Sequence, residues 1–429
     1  MEELNIKAKI EKIVYPGRSL AKYQKKVIFT DEGLPEETVK LAILKDKTNY
    51  IQAKTRKVTG PSPHRAIPRC THYKICSPYQ YIEYHYQIII KKAQIEEMFL
   101  RNNKVDPRVI RVVPSPKIWE YRNKAHFHLI RKKNKSFMAY HFPQRHDSFM
   151  EIDHCFLLTP QMNMLKNKLS EIINEKHLYS IKEVTFWESA LEQKIYIMLY
   201  FDCLRNIAET KTNLRPLLEE YNLGGTIAIT LGNNTYSKTI FSGKNIFEER
   251  IANTLYCLGP LSFFQINISL LEKMIGEIKT TLNLSGKETI ADLYSGVGTF
   301  GLALSPFVHK VLTVETEQEN IQFLEENIKL NTLKNVSIYP EASEEWFSSI
   351  GKEKFDILIV DPPRKGIGPL VCKEIIKHKP YQLVYISCNP PTLSRDLKSL
   401  ETYYTLKKLT IYDFFPHTPH IELCAFLTS

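Results

Sequence analysis

The chain has 429 residues, of which 43% are hydrophobic and 24% charged, and it carries a formal net charge of +11. This length predicts two or three domains with a composition ordinary for a globular protein. No apolar stretch approaches the roughly 20 residues that span a bilayer, and the first residues lack the pattern of a signal peptide. We therefore expect a cytoplasmic protein with no membrane partner. Its eight cysteines would then stay reduced and be buried, metal-binding or catalytic.

The basic residues are concentrated in one stretch. Lys and Arg exceed Asp and Glu by 58 − 47 = 11 over the chain, and residues 61–135 alone hold 16 Lys/Arg against 5 Asp/Glu. Interleaved with them are Tyr73, Tyr79, Tyr81, Tyr84 and Tyr121. Because basic groups neutralise phosphates and aromatic rings stack on unpaired bases, this stretch predicts a single-stranded nucleic-acid partner. A solvated basic face is the alternative.

Short strands open the chain. Alternating apolar residues at 6–10, 26–29, 38–43 and 50–53, separated by turn signals, predict a small antiparallel barrel of OB-like type over residues 1–60. Such barrels often bind nucleic acid, although the fold alone does not establish it.

Residues 61–265 are expected to form an α+β domain. A proline-rich connector opens it, a helix follows over residues 86–103, and alternating runs at 125–130 and 194–199 predict an antiparallel sheet.

Helices and strands alternate over residues 266–429. Helical spacing runs from Leu270 to Ile278, and buried parallel strands are predicted at 289–294, 311–315, 357–361 and 383–386. This pattern is typical of a doubly wound, Rossmann-like α/β domain.

A glycine-rich turn follows the first of these strands. Gly296, Gly298 and Gly301 match G-x-G-x-x-G, and Glu315 follows 19 residues after Gly296. The same template binds dinucleotides, with glycines close to the ligand and an acid on the ribose. A nicotinamide- or flavin-dependent oxidoreductase therefore remains an alternative.

Three features favour S-adenosylmethionine instead. Asp292 ends the first strand, where it could hold the cationic methionine part of the donor, and no Arg or Lys flanks the turn to bind a diphosphate. The Asp-Pro-Pro-Arg segment Asp361–Arg364 follows a later strand. Nucleic-acid methyltransferases use such an edge to hold a flipped base, and its prolines keep the backbone extended.

A thiol and a carboxylate complete the chemical pattern. Cys388 follows a predicted strand, and Glu422 precedes the last apolar run. A thiolate that adds to C6 of uracil makes C5 nucleophilic toward a methyl donor, and a base must then remove the C5 proton. Cys388 can be that nucleophile and Glu422 that base. Taken singly, a buried structural cysteine and a surface carboxylate are the competing interpretations.

These residues resemble the RNA 5-methyluridine (m5U) methyltransferase family along the whole chain. The resemblance is carried by Phe263–Asn267, Asp292–Phe300, Asp361–Gly366, Ser387–Pro390 and Phe415–Glu422. It implies that residues 266–429 form a class I methyltransferase domain. The N-terminal barrel resembles the RNA-binding TRAM domain, which points to the branch that methylates uracil C5 in 23S ribosomal RNA.

The resemblance also assigns roles to individual residues. It implies that Gln265, Tyr294, Glu315 and Asp361 contact S-adenosylmethionine, that Cys388 is the nucleophile and that Glu422 accepts the proton. The partner would be RNA, with ribosomal favoured over transfer RNA and no obligate protein partner evident.

Many members of that branch hold a [4Fe-4S] cluster on a Cys-x5-Cys-x2-Cys pattern and a distant fourth cysteine. Cys70 and Cys76 match the first spacing and Cys155 matches the fourth ligand, but Tyr79 occupies the third position of the 70–79 loop. Three thiolates cannot form the usual four-cysteine site. We expect the cluster to be absent or labile, with a remnant packing loop as the favoured interpretation.

Four alternatives to uracil-C5 methylation of ribosomal RNA stay open from the sequence. The substrate could be a transfer RNA uridine, or the reaction could be methylation of a base amino group, which uses the Asp-Pro-Pro-Arg edge without a thiol. Outside the methyltransferases, a dinucleotide-dependent oxidoreductase or a non-catalytic RNA-binding protein would share parts of the pattern.

Overall fold

A computed structural model describes residues 5–142, 145–203, 206–231, 236–351 and 353–429. The chain forms two compact units, one of Met1–Ser115 with Thr410–Glu422 and the other of Pro116–Leu409 with Leu423–Ser429. The expected domain boundaries near residues 60 and 265 stay predictions. Within the described ranges, the helices are all too short or too polar to cross a membrane.

The first unit begins with a closed five-stranded barrel in the order β1-β2-β3-β5-β4. Its interior is filled by alternate residues such as Ile10, Ile28 and Leu41, so the period-two pattern of the sequence correctly predicted the barrel. The barrel is not purely antiparallel as expected, because β3 and β5 pair in parallel. The strand that the pattern missed, β2, alternates only weakly. The elements of this unit are β1 (Asn5–Val14), β2 (Arg18–Tyr23), β3 (Lys26–Thr30), β4 (Thr38–Asp46), β5 (Tyr50–Gly60), α1 (Tyr73–Cys76), α2 (Tyr84–Asn103), a 3₁₀ turn (Pro107–Val109) and β6 (Ile110–Val113).

The second unit contains a seven-stranded mixed sheet in the order β13-β12-β11-β10-β7-β8-β9. Leu165 and Leu169 of α3 and Leu214 of α4 belong to the same buried cluster as Phe127 and Phe186 of the sheet. The expected α+β character is therefore confirmed, but the sheet is not purely antiparallel as expected, because β11 and β12 pair in parallel. The elements are β7 (Lys124–Lys132), β8 (Lys135–Phe142), β9 (Arg145–Glu151), α3 (Pro160–Glu175), β10 (Ile181–Ser189), β11 (Lys194–Phe201), α4 (Ile207–Glu220), β12 (Gly225–Leu231) and β13 (Tyr236–Gly243), followed by the hairpin β14 (Phe247–Ile251) and β15 (Thr254–Leu258).

A Rossmann-like sheet forms the rest of the second unit. Five parallel strands run β18-β17-β16-β19-β20, and β22 then pairs antiparallel with β20 before β21. The predicted doubly wound class is confirmed, and carboxyl ends of β16, β17, β19 and β20 meet at one edge of the sheet. The elements are α5 (Ile268–Leu282), β16 (Thr289–Leu293), α6 (Gly301–Leu304), a 3₁₀ turn (Ser305–Phe307), β17 (Lys310–Val314), α7 (Gln318–Leu330), β18 (Val336–Tyr339), α8 (Ser343–Ser349), β19 (Ile357–Val360), α9 (Gly368–His378), β20 (Gln382–Ser387), α10 (Pro390–Leu400), β21 (Thr405–Tyr412) and β22 (Glu422–Thr428).

Candidate active site

The glycine-rich turn leaves β16 in a left-handed backbone conformation. Tyr294, Gly296 and Gly298 have φ values of +60°, +57° and +91°. A Cβ atom on Gly298 would lie 2.5 Å from Cγ of Leu302, so the turn packs tightly against α6 on that side. A Cβ atom on Gly296 would meet nothing within 4 Å. The turn is therefore closed toward the protein and open at Gly296, as close approach of a ligand requires.

Asp292 presents a buried carboxylate at the end of β16. Its Oδ2 accepts a hydrogen bond from the backbone N–H of Gly301 at 2.8 Å, while its Oδ1 has no hydrogen-bond partner among the described residues. Burial raises the pKa of Asp292 to about 7, and the nearby carboxylates of Asp361 and Glu315 also raise it. A buried oxygen that lacks a donor fits a cationic ligand group, so this residue fits the methionine part of S-adenosylmethionine.

Glu315 lies after β17, across from the glycine-rich turn. Its Oε2 accepts from the backbone N–H of Gly296 at 2.8 Å, and its Oε1 accepts from the N–H groups of Thr316 and Glu317 at 2.7 and 2.8 Å. The structure therefore brings Glu315 to the turn, as its spacing predicts. These hydrogen bonds fix the carboxylate where an acid of a Rossmann-like site contacts a ribose.

Asp361 begins the loop after β19, next to the turn. Its backbone N–H points to the carbonyl oxygen of Leu293 at 3.4 Å, and burial raises the pKa of its carboxyl. Two acids, Asp292 and Asp361, thus stand at neighbouring strand ends with carboxylates that are costly to ionise in the absence of a cation.

A hydrogen-bond network centred on Asp396 holds the 361–366 loop. Oδ2 of Asp396 accepts from the Tyr385 hydroxyl at 2.7 Å and from the N–H of Ile367 at 3.0 Å. Arg395 donates to the carbonyl oxygen of Lys365 at 2.8 Å. Sequence reasoning missed Asp396, because an Arg-Asp pair in a helix resembles a solvated surface pair.

Cys388 and Glu422 adjoin one pair of residues in the β20–β22 ladder. Ser387, which precedes Cys388, pairs with Leu423, which follows Glu422. Cys388 is half-buried, and Glu422 is 3% exposed at the first position of β22. The predicted nucleophile and the predicted base are therefore the chain neighbours of the two residues in this one ladder pair.

Gln265 and Tyr294 are the other two predicted cofactor contacts. Gln265 is 8% exposed in the segment between β15 and α5, and Phe263 two residues earlier is 73% exposed. Burial raises the pKa of Tyr294 to about 12. Lys124 donates to the carbonyl oxygen of Ser262 at 3.4 Å and thereby supports the segment that carries Gln265, a role that its place in a basic stretch did not reveal.

The family of the chain follows from comparisons with known proteins. The family model described as tRNA (Uracil-5-)-methyltransferase matches residues 83–429. The chain belongs to that family. It is therefore a methyltransferase, as the resemblance predicted, and the family's reaction is directed at uracil C5 in RNA.

Two curated relatives and one solved structure extend the match along the chain. An uncharacterized RNA methyltransferase of Synechocystis sp. is 27% identical over 97% of this chain and 94% of the relative, and one of Staphylococcus epidermidis is 28% identical over 97% and 96%. The crystal structure of the Pyrococcus abyssi tRNA (uracil-54, C5)-methyltransferase, in complex with S-adenosyl-L-homocysteine, superposes with a TM-score of 0.77 at 22% identity, covering 98% of this chain and all of that one. The last match supports the fold.

Part of the basic stretch that predicted RNA binding in this uracil-5 methyltransferase is buried, which corrects its interpretation as a surface. Tyr79 and Tyr81 are 1% and 2% exposed in a hydrophobic cluster, and Tyr121 is 7% exposed. Lys91 is 1% exposed and pairs with Asp413. These aromatic and basic residues stabilise the core, so they are unavailable for stacking on bases or for binding phosphates.

The cysteines proposed as ligands of an iron–sulfur cluster are divided between the two units. In the first unit, Sγ of Cys70 and Sγ of Cys76 lie 3.6 and 3.4 Å from Nδ1 of His72, and the buried Tyr79 hydroxyl accepts from Gln94 at 3.2 Å. In the second unit, Cys155 is 2% exposed, and burial raises the pKa of its thiol. Because Tyr79 is a packed core residue at the third ligand position, the residues present do not fit a four-cysteine cluster.

Proposed function

We propose that this methyltransferase transfers a methyl group to C5 of a uridine in structured RNA through a transient bond between Cys388 and C6 of the base. The methyl donor is S-adenosylmethionine, which supplies an electrophilic methyl group on a sulfonium. The observation that carries the proposal is the Ser387–Leu423 pair, since the residues next to it in the chain are one thiol and one carboxylate.

The chain's own residues then divide the reaction into steps. The thiolate of Cys388 forms a bond to C6, and the electron pair of the C5–C6 double bond makes C5 nucleophilic. C5 takes the methyl group as the methyl's bond to the donor sulfur breaks and S-adenosylhomocysteine leaves, after which the carboxylate of Glu422 accepts the C5 proton. The electrons of that C–H bond restore the double bond, and the C6–S bond breaks to return the thiolate. Asp292 offsets the positive charge of the donor before transfer.

A row of lysines on the barrel supports RNA as the substrate. Lys7 of β1 pairs with Lys40 of β4, and Lys40 pairs with Lys57 of β5. All three side chains are exposed. Like charges directly opposite one another destabilise a sheet, so a phosphate backbone that neutralises them fits this face.

Ribosomal RNA is the substrate that we favour, because the barrel with its exposed lysines is a second candidate nucleic-acid surface of the chain. The proposed TRAM character of the barrel implies the same class of substrate.

The test uses purified protein, labelled S-adenosylmethionine and two RNAs, a 23S ribosomal transcript and a transfer RNA transcript. Digestion to nucleosides should give 5-methyluridine with the ribosomal transcript. Cys388→Ala should abolish product, and Glu422→Gln should accumulate RNA bonded to protein, which a denaturing gel detects as a shifted band.

Two matched variants serve as controls. Cys203→Ala removes an exposed thiol and Glu175→Gln an exposed carboxylate, and both should methylate RNA as the unaltered chain does. Full activity of Cys388→Ala would overturn the covalent route, and product on the transfer RNA alone would overturn the ribosomal substrate.

A further inference from the structure

Two histidines and a glutamate form a cluster on the face of the central sheet opposite its helices. Period-two alternation along β7 buries Ala125 and Phe127 in the core and turns His126 and His128 to the other face. The register with β10 sets Glu183 directly opposite His128. The cluster therefore follows from strand register and lies outside the proposed active site.

The three side chains converge on one point. Nε2 of His126 lies 3.2 Å from Oε2 of Glu183, and Nδ1 of His128 lies 3.0 Å from Oε1. One donor atom from each residue can be chosen so that all three lie within 4.8 Å of one another. Ligand atoms about 2.1 Å from a tetrahedral ion are roughly 3.3 Å apart, so these separations suit a shared ion with little movement.

A neighbouring side chain, Thr185, orients the ring of His126. Nδ1 of His126 lies 2.8 Å from Oγ1 of Thr185, which fixes the ring and leaves Nε2 directed at the cluster. Thr185 in turn points its hydroxyl to that of Tyr200 at 3.5 Å. Metal-binding histidines are commonly held through their second nitrogen in this way. The ring of His141 adds a further imidazole, 4.3 Å from that of His128 between centroids.

The cluster is also accessible to a cation. The side chains of His126, His128 and Glu183 are 42%, 25% and 30% exposed, so an ion can enter from solvent.

We propose that His126, His128 and Glu183 bind one divalent transition-metal ion of the zinc class. Two imidazoles and one carboxylate are a ligand set that zinc prefers, and three protein ligands leave a position open to water or another oxygen ligand. A hydrogen-bonded His–Glu–His cluster that never binds a metal is the competing explanation.

Zinc binding is best measured by calorimetry on the full chain in a Cys70→Ser/Cys76→Ser background, which removes the thiols near His72. We expect one zinc ion per chain. Glu183→Gln keeps the shape of the side chain but replaces one carboxylate oxygen with an NH2 group that cannot ligate, so it should weaken binding at least tenfold. Thr185→Val should weaken binding roughly 10- to 100-fold through loss of ring orientation. His309→Ala, which removes an exposed histidine elsewhere, should bind as its parent does.

A spectroscopic readout separates this site from a thiolate site. Cobalt bound in place of zinc should show visible ligand-field bands without a thiolate charge-transfer band, and both Glu183→Gln and His126→Ala should lose those bands. Circular dichroism checks that each variant is folded. Absence of zinc binding by the parent, or unchanged binding by a folded Glu183→Gln variant, would overturn the proposal.

Discussion

The side-chain amide of Asn389 donates a hydrogen bond to the carbonyl oxygen of Arg364 at 2.8 Å. The hydroxyl of Thr392 donates to the same oxygen at 3.3 Å. These two contacts join the turn after Cys388 to the loop that begins at Asp361. The carbonyl oxygen of Arg364 therefore fixes the turn that carries the proposed nucleophile against the loop that is proposed to hold the flipped uracil.

Removing this link should impair the chemical step more than RNA binding. Asn389→Ala is expected to lower kcat roughly 10- to 100-fold with little change in KM for RNA, because small displacements of a nucleophile are costly. Single-turnover methylation measures the effect. Asn167→Ala, which removes an exposed asparagine from α3, is the matched control and should keep both constants. An Asn389→Ala variant with unaltered kcat would show that the link does not position Cys388.

Gly366 should be irreplaceable for a related reason. Its φ is +77°, and a Cβ atom there would lie 2.3 Å from Oδ2 of Asp396. Gly366→Ala must therefore displace the carboxylate that holds Tyr385 and Ile367, and we expect it to lower the free energy of unfolding by about 1–3 kcal/mol.

Gly276→Ala is the opposite case, since its Cβ would meet nothing within 4 Å in the interior of α5. It should stabilise the protein by about 0.5–1 kcal/mol. Urea denaturation of both variants measures the two shifts, and a Gly366→Ala variant as stable as its parent would contradict the strain argument.

Local patterns predicted the cofactor edge because local chemistry determines it. The glycine positions of the turn and the spacing to the acid are visible in the sequence alone, at Gly296, Gly298 and Glu315. In the structure, the backbone N–H of Gly296 donates a hydrogen bond to Glu315. Apolar runs likewise predicted β16, β17, β19 and β20 to within about a residue at each end.

Contacts between residues that are far apart in the chain could not be predicted from the sequence. Lys91 contributed to a basic stretch, yet its partner Asp413 is 322 residues away in the chain. The alternation that predicted β7 could not show that Glu183 would face its histidines, since that requires the register of β10. Composition counts charges, but it does not tell which of them are buried.

The buried carboxyl of Asp292 should make stability depend on pH. Burial raises its pKa from 3.8 to about 7, so the folded chain holds a proton that the unfolded chain releases at lower pH. The free energy of unfolding should consequently fall as pH rises between about 4 and 7, by about 1.4 kcal/mol at most for each pH unit, and level off above. Asp292→Asn removes one titrating group and should make this part of the profile less steep, while Asp361, whose pKa burial also raises, keeps part of the slope. Urea denaturation at several pH values without the methyl donor measures the change. Asp202→Asn, at an exposed position, should leave the profile unchanged. An Asp292→Asn profile parallel to that of its parent would show that Asp292 is ionised throughout.

The buried pair of Lys91 and Asp413 provides the last test. Nζ of Lys91 lies 2.5 Å from Oδ1 of Asp413, and both side chains are at most 1% exposed. Lys91→Met would leave a carboxylate buried without its cation, so we expect a loss of about 3–5 kcal/mol in the free energy of unfolding. The double variant Lys91→Met/Asp413→Leu removes both charges and should recover most of that loss.

A surface pair calibrates this measurement. Lys398 and Glu401 are 57% and 42% exposed, so Lys398→Met should change the free energy of unfolding by less than about 1 kcal/mol. If the double variant at Lys91 and Asp413 were as unstable as Lys91→Met alone, the loss would come from a contact other than the ion pair, such as the hydrogen bond from Lys91 to the Phe415 carbonyl. Recovery would instead show that the loss in Lys91→Met comes from the unpaired carboxylate of Asp413. The 413–418 segment is also held by Gln87 of α2, whose side chain accepts a hydrogen bond from the N–H of His417 at 2.9 Å.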